Sequence, residues 1–181
     1  QKVIADGGAY TATGPLTMYL TGAITTLPYK LPHYKLDVYR VYTNNPVSSA
    51  MRGHGATHTR FAAEILMDMM AEELGLDPME VRLVNAIEAP HETINKVTVY
   101  SCGLKEGLKK LQETDLWKER KEKKEEKGKL IGIGLSSCAY LGGARQRGHQ
   151  SCAAILRLCE DGTIEYLTGA TDAGQGSDTV L

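Results

Sequence analysis

The residues best suited to chemistry lie in one short segment, Ala50-Met51-Arg52-Gly53-His54-Gly55-Ala56. Gly53 and Gly55 flank the imidazole of His54, and Arg52 stands directly before them. Glycine lets the backbone adopt positive φ angles and approach a ligand closely. A helix is predicted to begin just after the segment, and a helix N-terminus offers unpaired N–H groups and partial positive charge. The segment therefore predicts a site for an anionic or oxo ligand, and a plain glycine-rich turn is the alternative.

A second glycine element occupies residues 168–177, between a predicted strand and a predicted helix. It contains Gly174, Gln175 and Gly176. The side-chain amide of Gln175 can donate and accept hydrogen bonds together, which suits the edge of a pterin or a phosphate. The element lacks the GxxxxGK[ST] pattern of a nucleotide-phosphate loop. A strand-to-helix turn without a ligand is the alternative for this element also.

Composition excludes several classes of function. The 181 residues carry a net charge of −1, which gives no electrostatic case for binding nucleic acid or an anionic membrane. No apolar run approaches the roughly 20 residues of a membrane span, and no signal peptide is visible, so a cytoplasmic location is predicted. The four cysteines form no CxxC pair, which speaks against zinc or iron–sulfur ligation and predicts small buried residues. Both ends look cut from a longer chain.

Hydrophobic periodicity predicts an α+β fold with mixed sheets and packed helices. The predicted strands cover residues 2–12, 34–43, 130–142, 151–159 and 163–168, and the predicted helices cover 16–27, 57–74, 78–85 and parts of 102–127. Helix 57–74 carries an apolar stripe at helical spacing, which is typical of a face that packs on a core. Its members are Phe61, Ile65, Leu66, Met69, Met70 and Leu74. Met67, Met69 and Met70 are predicted to fill core space. Asp77 is the predicted N-cap of the next helix, with Pro78 in its first turn and Glu80 reaching back.

The charged run at residues 118–127 mixes both signs at i, i+4 spacing, which predicts a solvated helical linker. Composition becomes apolar after Gly128. Residues 1–122 and 129–181 are therefore predicted to belong to two domains, each of them partial.

Both glycine elements and a series of motifs along the chain resemble the large subunit of the xanthine oxidase family of molybdenum hydroxylases. The motifs are Asp6-Gly7-Gly8-Ala9-Tyr10, Tyr42-Thr43-Asn44, Ala50-Met51-Arg52-Gly53-His54-Gly55, Phe61-Ala62-Ala63-Glu64, Met67-Asp68, Leu74-Gly75-Leu76-Asp77-Pro78, Arg82, Asn85 and Gly174-Gln175-Gly176. They follow the order of the family and cover nearly the whole chain. The resemblance implies a fragment of the molybdopterin-binding region, with the start of a second molybdopterin-binding domain after residue 129.

The resemblance implies a molybdenum–molybdopterin cofactor that is held between two domains. The cytosine dinucleotide form of the cofactor is one of the forms that the resemblance allows. Arg52 matches an arginine beside the molybdenum, whose backbone amide faces an oxo ligand. Arg52 and His54 are the catalytic residues that this match implies. The implied cofactor-binding residues are Arg52, Gly53, Gly55, Gly174, Gln175 and Gly176. No side chain of this chain is expected to ligate the metal. Many relatives carry phenylalanine where this chain has His54, whose imidazole can stack on a ring, bond a phenolic oxygen or shuttle a proton.

The form Arg52-Gly53-His54-Gly55 is most similar to the catalytic subunit of 4-hydroxybenzoyl-CoA reductase. That similarity implies reductive removal of the phenolic hydroxyl from 4-hydroxybenzoyl-CoA. Purine-oxidising relatives carry a substrate-binding arginine where this chain reads Met18-Tyr19-Leu20-Thr21, which speaks against xanthine. Two alternatives stay open. One is a hydroxylase or dehydrogenase of aldehydes or N-heteroaromatics within the same family. The other is a non-catalytic assembly module without the cofactor.

The resemblance also implies a substrate, partner subunits and a catalytic residue that lie outside this segment. A small aromatic molecule or a CoA thioester is the implied substrate. The 2Fe–2S and FAD centres of such enzymes are expected on partner subunits. The family's catalytic glutamate is expected beyond residue 181, so the segment alone is expected to be inactive.

Overall fold

The computed structural model describes residues 1–122, 124–126, 128–140, 152–172, 174 and 176–180, with residues 124–126 described by their backbone. The chain divides into two compact units, Gln1–Leu141 and Gly142–Leu181. In the first unit the elements are β1 (Lys2–Asp6), α1 (Gly14–Thr25), β2 (Asp37–Val41), α2 (Ala56–Glu73), α3 (Pro78–Asn85), β3 (His91–Glu92), β4 (Thr98–Val99), α4 (Leu104–Gln112), α5 (Asp115–Lys118), β5 (Lys124–Glu126) and β6 (Lys129–Ile131). In the second unit they are β7 (Ala154–Leu158), β8 (Ile164–Thr168) and α6 (Ser177–Val180). The α+β fold class is confirmed. No helix in these ranges is both long enough and apolar enough to span a membrane.

Strands β1 and β2 pair in parallel, from Lys2 opposite Asp37 to Asp6 opposite Val41. Parallel neighbours need a crossover connection, and α1 supplies it. The carboxyl ends of the two strands consequently lie at the same edge. The loop after β1 and the loop after β2 therefore meet there, and the second of these loops contains Arg52.

The apolar stripe predicted to pack helix α2 on the core faces outward. The six side chains of the stripe are between 43% and 72% exposed. The buried face of α2 instead presents Thr59, Arg60, Glu64, Met67 and Ala71. Met67 fills core space as predicted, whereas Met69 and Met70 do not. The predicted orientation of α2 was wrong because hydrophobic periodicity assigns charged side chains to the surface, whereas Arg60 and Glu64 are buried.

A buried ion cluster explains why Arg60 and Glu64 can lie inside. One carboxylate oxygen of Glu64, Oε2, accepts hydrogen bonds from Arg82 Nε at 2.9 Å, from the Tyr29 hydroxyl at 3.1 Å and from the Ser137 amide at 3.0 Å. Arg60 contributes a longer ion pair at 3.6 Å. Buried charges are tolerated when they are paired and hydrogen-bonded. Burial, with the neighbouring Glu64 acting in the same direction, raises the pKa of Tyr29 to about 12, so its hydroxyl remains a donor.

Helix α3 begins as predicted. Asp77 accepts a hydrogen bond from the Met79 amide, and Pro78 stands in the first turn. The expected return contact of Glu80 to the helix start is wrong, because the carboxylate accepts from Gln112 Nε2 on α4 at 2.6 Å. Behind α3, one apolar cluster joins helices α3 to α5. Its buried members are Met79, Ala86, Leu108 and Trp117.

The middle of the chain departs from the expected pattern. The charged run is not helical in the part that the structure describes, because α5 ends at Lys118 and residues 124–126 form β5, which pairs antiparallel with β6. The strand expected over residues 130–142 ends at Ile131.

Cys102, Cys138 and Cys152 are exposed rather than buried, and all four cysteines are free. The predicted limits of the two domains, 1–122 and 129–181, stay a prediction.

The second unit contains the expected hairpin. Strands β7 and β8 pair antiparallel, from Ala154 opposite Thr168 to Leu158 opposite Ile164. Gly162 adopts a φ of +83° in the turn between them, as the Glu160-Asp161-Gly162 sequence predicts.

The outward orientation of the α2 stripe is testable with two matched substitutions. Met79→Ala removes a side chain that is 0% exposed, and we expect a loss of about 2–5 kcal/mol in the free energy of unfolding. Met69→Ala removes a helical methionine that is 58% exposed, and we expect a change within about 0.5 kcal/mol. Urea unfolding of both variants measures the difference. Equal losses would contradict the assignment of Met69 to the surface.

Candidate functional site

The candidate site is the loop that leads into α2, residues 48–55, called here the site loop. Three successive residues in it have positive φ angles, +64° at Gly53, +27° at His54 and +94° at Gly55. Glycine adopts such angles without steric cost, whereas His54 carries backbone strain of about 1–3 kcal/mol. Strain of this kind collects where a loop must hold one particular shape.

The backbone amides at the end of the site loop differ in exposure, because residues 51–53 are exposed, His54 is half-buried and Gly55 is buried. Within the ranges that the structure describes, the N–H groups of residues 51–55 donate to no protein acceptor, and the first bond of the turn runs from the Ala56 amide to the Gly53 carbonyl at 2.7 Å. These donors lie at the N-terminus of the 18-residue helix α2, where the helix dipole adds partial positive charge. The loop is therefore a cradle of donors for an anionic or oxo ligand.

Helix α1 fixes the end of the site loop. The buried Thr21 hydroxyl lies 3.1 Å from the Gly55 carbonyl, 2.9 Å from the Thr17 carbonyl and 2.8 Å from His58 Nε2. A Cβ at Gly55 would lie 2.4 Å from the Thr17 carbonyl oxygen. Glycine at this position is therefore required by a close approach between the loop and α1, as well as by its φ angle.

The carboxylate of Asp6 orders the neighbouring loops at the same edge. It accepts hydrogen bonds from the Thr43 hydroxyl at 2.5 Å, from Asn45 Nδ2 at 2.5 Å and from the Gly8 amide at 2.9 Å. These bonds, the Thr43 bond foremost, lower the pKa of Asp6. The ionised carboxylate thus joins the loop after β1 to the loop after β2.

Arg52 and His54 differ in their surroundings. The Arg52 side chain is exposed and forms no ion pair with any residue in the described ranges. His54 is half-buried, and its Nε2 atom is buried with no hydrogen-bond partner among the described residues. The structure thus groups Arg52, Gly53, His54 and Gly55 in one loop. The roles predicted for these four residues stay predictions.

The second glycine element lies in the second compact unit. Gly174 and Gly176 have φ angles of +116° and +85°. Asp172 accepts hydrogen bonds from the Gly174 amide at 2.7 Å and from the Asp178 amide at 3.3 Å. Bonds to backbone amides, that of Gly174 foremost, lower the pKa of Asp172. Gln175 lies outside the described residues.

Sequence reasoning missed three residues that order the backbone next to the predicted glycines. Asp6, Thr21 and Asp172 each bond backbone groups near a predicted glycine, and none was a candidate. A signal was present at Asp6 and Asp172, because aspartate two residues before a glycine is typical of a side chain that bonds the following backbone. Thr21 offered no signal, because its partner at Gly55 is 34 positions away.

Comparison with known proteins places these loops in a family. Residues 1–86 and residues 108–181 match two family models, each described as a molybdopterin cofactor-binding domain. The chain is 35% identical, over 99% of its length and 24% of the relative, to the putative xanthine dehydrogenase molybdenum-binding subunit XdhA of Escherichia coli strain K12. It is 34% identical to the aldehyde oxidoreductase of Megalodesulfovibrio gigas, over 97% of this chain and 19% of that protein.

A solved structure agrees with these matches. The aldehyde oxidoreductase from Desulfovibrio gigas superposes with a TM-score of 0.60 at 30% sequence identity, over 68% of this chain and 14% of that chain. The chain spans about a fifth to a quarter of the length of the curated relatives described above. The two family matches together take in most of the described sequence. The chain therefore consists largely of molybdopterin cofactor-binding domain sequence, and it is similar to the molybdopterin-binding region of xanthine dehydrogenase and aldehyde oxidoreductase.

Proposed function

We propose that this chain is part of the catalytic subunit of a molybdenum-dependent oxidoreductase, and that the site loop holds the cofactor. The observation that carries the proposal is the row of unpaired amides at residues 51–55, at the N-terminus of α2. The loop also fits the charge of such a cofactor, because residues 46–57 contain no acidic side chain and one cation, Arg52. Oxo and phosphate oxygens are acceptors that backbone amides and a guanidinium bind well.

The proposed division of roles follows the local geometry. Gly53 and Gly55 let the main chain approach the cofactor, and Arg52 neutralises its negative charge. Gly174, Gln175 and Gly176 are proposed as a second set of cofactor contacts. His54, with its unpartnered Nε2, is proposed to face the substrate as a hydrogen-bonding or stacking group. When bound, the molybdenum cofactor supplies two-electron redox chemistry, while these residues bind and orient the reactants.

Oxidation of an aldehyde or an N-heteroaromatic carbon is the reaction that we put first. Relatives of about 35% identity are named for xanthine and for aldehydes, and this supports the class without choosing the substrate. Partner subunits with 2Fe–2S and FAD centres are proposed as the route for electrons. A purified complex that contains neither molybdenum nor pterin would instead support a non-catalytic assembly module.

Reductive dehydroxylation of 4-hydroxybenzoyl-CoA is the second candidate. The specific observation in its favour is His54, because an imidazole with a free nitrogen can bond the phenolic oxygen of that substrate. Assays of the full-length complex separate the candidates. Turnover of aldehydes or heteroaromatics with an electron acceptor supports the first, and dehydroxylation with a low-potential electron donor supports the second.

The cradle itself is testable with a matched pair of glycine substitutions. Gly53 and Gly75 have nearly the same φ angle, +64° and +65°, so alanine costs each position a similar backbone strain of about 1–2 kcal/mol. A Cβ at Gly53 would lie 3.0 Å from the Thr57 side chain, whereas a Cβ at Gly75 meets nothing within 4 Å. We expect Gly53→Ala to lower the molybdenum and pterin content of the full-length subunit and Gly75→Ala to leave it unchanged. The same content in both variants would count against the cradle.

The substrate role of His54 predicts a change in catalysis without a change in cofactor content. We expect His54→Ala to lower kcat/KM for the true substrate about 10- to 100-fold, the value of one lost hydrogen bond or ring contact in an active site. His91→Ala is the matched control, because His91 is a partly buried histidine on β3, outside the site loop. Steady-state kinetics per bound molybdenum measure the effect. Wild-type kinetics in the His54 variant would remove this residue from the substrate site.

A further inference from the structure

We propose that Arg40 is a positioning residue, whose guanidinium ties the loop after β1 to the start of the site loop and thereby helps to fix the site loop. This inference rests on the proposed function, because it assigns the purpose of the fixed loop to cofactor binding. Arg40 lies near the carboxyl end of β2, opposite Ala5 of β1. Its side chain therefore stands at the edge where the loops after both strands meet.

One nitrogen of Arg40 reaches three carbonyls, two in the loop after β1 and one in the loop after β2. Nη2 lies 2.7 Å from the Gly7 carbonyl, 3.0 Å from the Ser48 carbonyl and 3.3 Å from the Tyr10 carbonyl. The Nη2 group carries two hydrogens, so the two short contacts take one each and the Tyr10 contact shares one of them. Hydrogen bonds from a charged donor are stronger than neutral ones.

The backbone around the guanidinium leaves no room for other side chains. A Cβ at Gly7 would lie 2.6 Å from Arg40 Nη1, and a Cβ at Gly14 would lie 2.2 Å from Arg40 Nε. Both glycines are thus required by the side chain that packs on them. The planar group occupies a slot between the loop after β1 and the first residue of α1.

The contact with Ser48 gives Arg40 its influence on the site. Ser48 begins the site loop, and Gly55 ends it against the Thr21 hydroxyl of α1. The exposed residues between these two anchors have no other backbone hydrogen bond to the rest of the described protein except at Gly53, which bonds Ala56. At the start of the loop, the Ser48 amide also donates to the Gly7 carbonyl at 3.2 Å, and the Ser49 hydroxyl bonds the Thr13 hydroxyl. Arg40 adds the charged donor to this group of bonds, which joins the start of the site loop to the loop after β1.

Lysine is a poor substitute at this position. Its ammonium group is a point charge on a flexible chain, whereas the guanidinium is a flat group whose donors are already aligned. We expect Arg40→Lys to keep the charge and one or two of the carbonyl contacts. Arg40→Gln loses the charge and the reach of the side chain.

The test measures hydrogen exchange and molybdenum content in the full-length subunit with its partner subunits. We expect Arg40→Gln to speed amide exchange at Ala9, Thr43 and Ser48 about tenfold or more, because these amides bond carbonyls across the two loops that Arg40 joins. Exchange in α3, residues 78–85, stays at the wild-type rate. Molybdenum per subunit falls by roughly half or more, because supporting residues typically change metal affinity 10- to 100-fold.

Two further variants make the result specific. Arg157→Gln is the matched control, because Arg157 also lies on a strand but its side chain is 73% exposed and forms one ion pair, with Glu165 at 3.4 Å. It is expected to leave exchange in the site loop and molybdenum content unchanged. Arg40→Lys is expected to restore part of the protection at Ala9, Thr43 and Ser48. If Arg40→Gln yields no folded protein, the Arg40→Lys variant alone decides between the outcomes.

The outcomes separate this inference from the proposed function. Wild-type exchange at Ala9, Thr43 and Ser48 in both Arg40 variants would overturn the inference, and so would an equal rise in α3, which marks a general loss of stability. Either result leaves the molybdenum content of the wild-type subunit as independent support for the proposed function. A wild-type subunit without molybdenum or pterin would overturn the proposed function, and with it the purpose assigned to Arg40.

Discussion

The position of helix α2 depends on the buried carboxylate of Glu64. Three donors from three separate segments, Arg82, Tyr29 and the Ser137 amide, meet on one of its oxygens. An apolar contact would allow the helix to rotate or slide, whereas this arrangement fixes both its rotation and its depth. Loss of one partner from such a buried ion pair typically costs about 3–5 kcal/mol. The donors at the N-terminus of α2 point where they do because the middle of the helix is held in this way.

A second constraint, the parallel pairing of β1 and β2, brings the loops to the helix. Because both strands end at the same edge, polar side chains from one loop can bond the backbone of the other over short distances. Asp6 and Arg40 do this with opposite charges, and each bonds more than one segment. The glycines at positions 7 and 14 leave the space that the guanidinium occupies. The loops are thus ordered by a few charged groups in a region with little apolar burial.

Local signals in the sequence predicted the local features of the fold. Asp77 and Pro78 marked a helix start, Gly162 marked a hairpin turn, and Gly53 and Gly55 marked a loop with positive φ angles. Features that depend on distant partners were not predictable from one sequence. The face of α2 that is buried depends on a pairing between Glu64 and Arg82, which lie 18 positions apart. The prediction of a helix for the charged run was wrong for a related reason. Charges at i, i+4 spacing favour a helix only where no neighbouring strand competes for the backbone hydrogen bonds, and here β6 pairs with residues 124–126.

The backbone angles of residues 53–55 have a consequence for how such a site can diversify. Replacing either outer glycine disturbs the course of the main chain, at one position through contact with Thr57 and at the other through contact with the Thr17 carbonyl. The central residue is already held at a positive φ with a side chain present, so the ring of His54 can be exchanged for another without a new requirement on the chain path. If the loop acts as proposed, the outer glycines serve cofactor binding and the central side chain serves substrate selection, so a change of selectivity at position 54 needs no change in the path of the main chain.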